Sequence, residues 1–294
     1  MSRQARPELS PYVRAYAQRV VERDDPVVVQ SVPAQLEQIL NLEFGVMPGV
    51  DHRDQHDVSY AAWFGGAQSS FSGYLELRPG VESFAVFFQP AGWSLLFRVP
   101  MIEVSNRIID VTAIPGAGFH SLWNRMGEES TFEARVQIVE EFLIRRIARA
   151  AAHNKMTVAA HTIFRQHGAL RISSLATQHS LGARQFERAF KRESGISPKS
   201  FARIARFQAA LDARLKWPTR TWLDIAHSFG YYDQMHMVRD FGKLGRAAPT
   251  ELIAKMGDVR PPALSSEEEK EPNVAFVLGG ISPNCPSLPS VEAR

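Results

Sequence analysis

The segments LRISSLATQHSLGARQFERAFKRESGISPKSF (170–201) and RTWLDIAHSFGYYDQMHMVRDFGKLGRAAPTEL (220–252) are two versions of one pattern, and this repeat decides the fold of the second half of the chain. In each copy a short helical segment precedes a turn and then a second helical segment with core residues four apart. After the turn, equivalent positions lie 51 residues apart, whereas before it they lie 50 apart. The pattern predicts two helix-turn-helix units, the second with a turn one residue longer.

The segment PKSFARIARFQAALDARLK (198–216) joins the two copies. Its apolar residues follow a helical stripe, Pro198 suits the first position of a helix, and Ser197 suits the cap. The segment therefore predicts one long helix that holds the units at a fixed separation. Its residues Lys199, Arg203 and Arg206 either contact phosphates or are simply solvated.

The charge is unevenly distributed along the 294 residues. Residues 1–160 have a balance of −3, residues 161–257 of +9, and residues 258–294 of −3. A basic segment between two acidic ones indicates a nucleic-acid partner, because attraction to phosphates supplies most non-specific affinity. A merely basic domain is the alternative that charge alone leaves open.

The second helix of each unit has an outer face opposite its predicted core face. An α-helix fits the major groove of B-DNA, and Arg and Gln are suited to bidentate contacts with bases. A solvated helix face is the alternative, but two units in register within the basic segment favour binding of double-stranded DNA. The candidate DNA-binding residues are Arg184, Gln185, Arg188, Lys191, Gln234, Met235 and Arg239, with Lys199 as a candidate phosphate contact.

The run FERAFKRESGISP…RFQ…DIAHSFGYYDQMHMVRDF resembles the C-terminal DNA-binding domain of AraC-type transcription regulators over residues 156–255. The resemblance implies two recognition helices in the major groove and leaves RNA polymerase and a second copy of the chain open as partners. The sequence departs from the family pattern with Ser180 at the turn glycine and Gly182 at the cap. Gly242 and Gly245 weaken the end of the second recognition helix.

The first third of the chain has a sequence pattern typical of short strands. The segments GYLELRP (73–79) and SFAVFFQP (83–90) alternate apolar residues, and glycines punctuate the sequence at short intervals. These features predict an antiparallel sandwich or barrel. Residues 99–111 fit either a helix or a strand, and Ser130-Thr131-Phe132-Glu133 has the form of a capping box that opens a helix over 131–151. Residues 84–111 and this helix resemble the cupin-like sensing domain of some AraC-type regulators, which implies a small-molecule effector or dimerisation.

Other chemistry receives little support. His52 and His56 are a close pair, but their polar surroundings predict a solvated loop rather than a metal site. The single cysteine, Cys285, excludes an intramolecular disulfide. Six aromatic residues either line an apolar pocket or pack in the core, the more frequent outcome. They are Trp63, Phe64, Phe87, Phe88, Trp93 and Phe97.

These observations predict an α+β chain with three parts: a β-rich sensing or dimerisation domain (1–152), an all-α double helix-turn-helix domain (153–257) and a disordered tail (258–294). The absence of a long apolar run or signal peptide predicts a cytoplasmic protein with no membrane partner. No cofactor and no catalytic residue is predicted. The alternative hypothesis is an enzymatic or metal-binding first domain that the second domain targets to DNA.

Overall fold

The computed structural model describes residues 1–53 and 55–257; side chains are described for 1–53 and 59–254. The predicted disordered tail, with Cys285, lies outside the described residues. Strands dominate the first part of the chain. They are β1 Ser2–Gln4, β2 Val13–Val20, β3 Val28–Val32, β4 Gln38–Gly45, β5 Gly49–His52, β6 Gln55–Val58, β7 Ala62–Gly65, β8 Gly73–Leu77, β9 Val81–Phe88 and β10 Ile108–Asp110.

Helices follow, first among the last strands and then without interruption. They are α1 Gly92–Phe97, α2 Met101–Val104, α3 Phe119–Gly127, α4 Phe132–Ile147, α5 Lys155–Arg165, α6 Ile172–Gln178, α7 Ala183–Ser194, α8 Pro198–Lys216, α9 Trp222–Ser228, α10 Gln234–Gly245 and α11 Pro249–Gly257. In the described part of the chain, no helix combines the length and the apolar character that crossing a membrane requires.

The strands form two antiparallel sheets, as the sequence predicts. One has the order β1-β2-β9-β4-β7-β10 and the other the order β3-β8-β5-β6. In the larger sheet, side chains alternate between its faces because the period of a strand is two residues. Leu40 and Leu42 of β4 pack in a core with the helices, whereas Asn41 and Glu43 point to the opposite side, where they face the smaller sheet.

Helix α4 begins where the sequence predicts a helix, but without the predicted capping box. The Thr131 hydroxyl accepts a hydrogen bond from the Ala134 N–H at 3.2 Å. A reciprocal bond requires a polar side chain at the third helical residue, which here is Ala134, since Glu133 is only the second. The segment 99–111 contains both a short helix, α2, and a strand, β10.

Helices α5 to α11 build a second core, which also receives two residues from the first part of the chain. Ala34 and Leu36, between β3 and β4, are buried among these helices. The Ala34 N–H donates to the Leu244 carbonyl at 2.8 Å, and the Leu36 N–H donates to Gln208 Oε1 at 3.1 Å. The β-rich part and the helical part are therefore joined by packing as well as by the chain.

Candidate DNA-binding interface

The first helix-turn-helix unit consists of α6 and α7. Leu175 of α6 and the pair Phe186 and Phe190 of α7 are buried, as the repeat pattern predicts. Between the helices, Ser180 has a φ of 56°, a left-handed conformation that favours glycine. Gly182 caps α7 with extended backbone and no side-chain hydrogen bond. The two sequence departures thus leave the unit intact.

The second unit, α9 and α10, repeats this geometry. Its buried residues Ile225, Met237 and Phe241 take the equivalent places, and Gly230 has a φ of 69°. Asp233 caps α10, since its carboxylate accepts a hydrogen bond from the His236 N–H at 2.6 Å. Both α7 and α10 are 12 residues long, so the glycines near the end of α10 do not shorten it.

Helix α8 is the predicted linker, with the predicted bounds and cap. The Ser197 hydroxyl accepts a hydrogen bond from the Ser200 N–H at 3.1 Å. Near its start Phe201 packs edge-on against Phe190 of α7, and further along Phe207 packs against Phe241 of α10, with ring centroids 4.7 Å apart in the second pair. One rigid helix therefore contacts both second helices of the units.

Two partly buried arginines of α8 bind other groups of the protein. Arg203 is paired with the buried carboxylate of Asp240 on α10 at 2.8 Å. Arg206 donates to the Gly168 carbonyl at 3.0 Å and lies over the Tyr231 ring. The sequence predicts that these two arginines either contact phosphates or are solvated, and it does not indicate these partners. Helical periodicity does not show which residues of other segments pack against a helix.

The structure places all eight candidate DNA-binding residues on the exposed surface. In α7 they lie opposite the buried phenylalanines, and in α10 opposite Met237 and Phe241. Among the described residues, none of their side chains has a hydrogen bond or an ion pair to the rest of the chain. They are Arg184, Gln185, Arg188, Lys191, Gln234, Met235, Arg239 and, at the start of α8, Lys199.

A cavity of about 110 Å³ lies between the two sheets of the β-rich part. Its wall contains buried polar groups from both sheets. Arg19 of β2 donates to Gln30 Oε1 of β3 at 3.2 Å. His52 Nε2 of β5 lies 3.1 Å from Gln68 Oε1. The arrangement offers hydrogen-bonding and charged groups to a small molecule within a lining that is mostly apolar.

Glu43 is the acidic group of this cavity. Burial raises its pKa to about 7, and hydrogen bonds from the Ser83 hydroxyl and the Trp63 indole N–H oppose that rise. Burial also lowers the pKa of Arg19 to about 10. This value is still well above 7, so the guanidinium stays charged near neutral pH. The cavity therefore combines a buried cation with a buried carboxyl group whose pKa is raised well above its ordinary value.

The prediction of a solvated loop around His52 is wrong. His52 ends a strand that pairs with β6, and its side chain is buried at the cavity. The polar composition was misleading because this strand is buried against a cavity whose wall includes polar groups. Within the described residues, no three His, Cys, Asp or Glu side chains are grouped as a metal site would require.

The six aromatic residues divide between the two predicted outcomes. Trp63 and Phe87 line the cavity. The other four pack with the helices, where Trp93 stacks on Phe64 with ring centroids 3.8 Å apart. Sequence reasoning missed the polar cavity residues. The alternation in Leu40-Asn41-Leu42-Glu43 could have indicated them, because every second residue of this buried strand is polar.

Comparisons with known proteins found one family model and several solved structures. A family model described as a helix-turn-helix domain matches residues 175–255. ToxT from Vibrio cholerae O395 is similar over 82% of this chain and 97% of that chain, at 10% identity and a TM-score of 0.45. ToxT of V. cholerae strain SCE256 with bound unsaturated fatty acid is similar over 82% of this chain and 95% of that chain, at 8% identity and a TM-score of 0.45.

The AraC-like transcriptional activator CuxR is similar over 72% of this chain and 86% of that chain, at 10% identity and a TM-score of 0.29. No curated protein matches the chain significantly. The family match begins within α6 and ends within α11, so it covers both helix-turn-helix units and the linker between them. Residues 175–255 are therefore an AraC-type helix-turn-helix domain, the DNA-binding part of a transcription regulator.

Proposed function

We propose that the protein is a sequence-specific transcription regulator that places α7 and α10 in neighbouring segments of the major groove on one face of the DNA. The observation that carries this proposal is the pair of units held by α8, each with an outer face that has exposed polar or basic side chains. Arg184, Arg188 and Arg239 are its principal base-reading residues. Gln185, Lys191, Gln234 and Met235 complete the contact surface, and Lys199 contacts phosphate.

The dimensions of α8 support simultaneous binding of both units. Its 19 residues span about 28 Å at 1.5 Å per residue. Successive major-groove segments on one face of B-DNA lie about 34 Å apart. The linker and the widths of the units together cover that separation. One monomer should therefore protect two short DNA elements about one helical turn apart.

Spacing of the two elements tests this proposal. The full chain is used to select a binding site from random DNA, and about five base pairs are then inserted between the protected elements. The insertion rotates the second element to the far side of the duplex, which rigid α8 cannot follow without costly twisting or bending. Affinity should fall to that of DNA in which one element is scrambled. Unchanged affinity would show that only one unit reads sequence.

Substitutions separate base contacts from phosphate contacts. Arg188→Ala and Arg239→Ala should each cost about 1–3 kcal/mol of specific binding and relax preference at one base position. Lys199→Ala should weaken binding to all sequences alike. Gln137→Ala, at an exposed position of α4, is the matched control. Normal binding of the selected site by both arginine variants would refute the assignment of the faces.

A connection between the cavity and the second unit supports control by a small molecule. Residues 33–37 lie between β3 and β4, and their side chains alternate between two environments. Pro33 and Gln35 line the cavity, whereas Ala34 and Leu36 are buried among the C-terminal helices. A ligand that displaces this segment would therefore act on α8 and α10. A change in DNA affinity on adding a ligand that raises the melting temperature tests this control.

We retain the division into an N-terminal domain (1–152) and a DNA-binding domain (153–257) as part of this proposal. Contact with RNA polymerase and a homodimer remain predictions of the family resemblance. The alternative hypothesis is an enzymatic or metal-binding first domain that the second domain targets to DNA. Metal analysis and a turnover assay of the purified protein test it.

A further inference from the structure

The two recognition helices present different chemistry at equivalent positions, and this difference deepens the proposed function. On each helix the middle of the outer face is a row of three exposed residues spaced i, i+4 and i+7. The rows are Arg184, Arg188 and Lys191 on α7, and Met235, Arg239 and Gly242 on α10. Each residue of the first row is 51 positions before its counterpart, so the rows have the same orientation relative to their buried faces.

The row on α7 is fully cationic. Arginine binds guanine through its O6 and N7 atoms in the major groove, and this is the commonest specific contact to a base. Lysine at the third position binds guanine or phosphate. This helix is therefore suited to a guanine-containing element.

The row on α10 has one cation, and it is flanked by exposed apolar groups. Met235 is 57% exposed, and Tyr232, in the turn before α10, is 89% exposed. Tyr232 is the additional residue of the longer turn in the second unit. Thymine is the base that offers an apolar group in the major groove, its C5-methyl. Burial of these side chains against thymine methyl groups would remove their apolar surface from water.

Gly242 is the third residue of the row on α10, and packing within the protein does not require a glycine at this position. A Cβ built at Gly242 meets nothing within 4 Å, whereas one at Gly245 lies 2.8 Å from the Leu252 side chain. Packing thus explains Gly245 but not Gly242, which costs helix stability relative to alanine. A glycine at this place on the outer face lets the helix backbone approach a ligand closely.

We propose that the two units read bases of different kinds: α7 a guanine-containing element through Arg184 and Arg188, and α10 a thymine-containing element through Met235 and Tyr232, with Gly242 permitting the close approach of α10. The combined target is an asymmetric site, guanine-rich at one end and thymine-rich at the other.

Base analogues test this proposal on the site selected with the full chain. Deoxyuridine lacks only the methyl group of thymidine, and 7-deazaguanine lacks only the N7 acceptor of guanine. Each contacted methyl group should contribute about fourfold to affinity, since a buried carbon is worth about 0.8 kcal/mol. Deoxyuridine in the thymine-containing element should therefore weaken wild-type binding, and it should have no effect on a variant with Met235→Ala and Tyr232→Ala. The Arg184→Ala variant should be insensitive to one 7-deazaguanine that weakens the wild type.

Exchange of residues between the rows gives a second test. Met235→Arg should shift the preference of the second element from thymine toward guanine. Gly242→Ala should raise the melting temperature of the protein and yet weaken specific binding severalfold, a combination that a purely structural role does not produce. Gln137→Ala should alter neither the base preference nor the affinity.

The outcomes distinguish this inference from the proposed function. Specific binding that is insensitive to deoxyuridine would overturn the inference and leave the DNA-binding function in place. Normal binding by the variants of Tyr232 and Met235, with loss of transcriptional output, would overturn it in favour of a protein contact at this surface. Failure of the wild type to select any sequence would refute both.

Discussion

Replacement of Gln208 by leucine should weaken the junction between the β-rich and helical parts in a pH-dependent way. Gln208 lies on α8 and is 1% exposed. Its amide NH₂ donates to Glu37 Oε2 at 2.6 Å, and its carbonyl accepts from the Leu36 N–H at 3.1 Å. Leucine has a similar volume but makes neither bond, so the substitution removes polar partners with little change in packing.

The cost follows from the two groups that lose a partner. A buried N–H without an acceptor costs about 1–3 kcal/mol, and a hydrogen bond to a charged group is worth about 1.5–3 kcal/mol. The second contribution depends on the ionisation of Glu37. We therefore expect the free energy of unfolding to fall by about 4 kcal/mol at pH 8 and by about 2 kcal/mol at pH 5.

The sign of the pH dependence comes from the pKa of Glu37. Burial raises this pKa from its ordinary value of 4.5 to about 7, while the nearby Arg14 and the hydrogen bond from Gln208 lower it. A carboxyl group with a raised folded-state pKa contributes stability below pH 4.5, and this contribution is lost as the pH rises through about 7. Loss of the Gln208 donor raises the folded-state pKa further. The variant therefore loses additional stability at high pH, about 1.4 kcal/mol per unit of pKa.

Urea denaturation of the wild type and the Gln208→Leu variant at pH 5 and pH 8 measures the loss of unfolding free energy at each pH. Gln137→Leu, on the exposed face of α4, is the control for introducing a leucine. Glu37→Gln should remove this part of the pH dependence. An equal loss of stability at the two pH values, or a loss below about 1 kcal/mol at pH 8, would refute the reasoning.

Urea denaturation also checks four further predictions. Gly168→Ala should cost about 3 kcal/mol or more, because Gly168 has a φ of +67° and a Cβ there would lie 1.9 Å from a carbonyl oxygen of α8. Gly230→Ala, at a φ of +69° where a Cβ would make only an ordinary contact with the Ala169 side chain at 3.9 Å, should cost only about 1–2 kcal/mol, and the reverse order would contradict this account. Ser180→Gly should add about 0.5–1 kcal/mol of stability by relieving a left-handed backbone, with unchanged DNA affinity. A double-mutant cycle of Arg203→Met and Asp240→Asn should show a coupling of about 1–3 kcal/mol, and additive effects would show that the pair does not join α8 to α10.

Local sequence patterns determined most of the helical part. The linker α8 has the bounds that the periodicity, Ser197 and Pro198 predict, and the repeat placed the buried phenylalanines of α7 correctly. Strands β8 and β9 were also predictable, because their residues alternate and turns bound them. These features depend on interactions within a few residues, which a linear sequence contains.

Tertiary structure alone decided where polar residues meet. His52 reads as part of a solvated loop, yet it is buried beside Gln68 because a second sheet covers it. Arg203 reads as a surface cation, yet Asp240 lies beside it on another helix. Ala34 enters the core of the helical part although it lies in the β-rich region of the sequence. Whether a side chain is buried, and with which partner, depends on segments far away along the chain. Hydrophobic periodicity reports only which face of an element is buried.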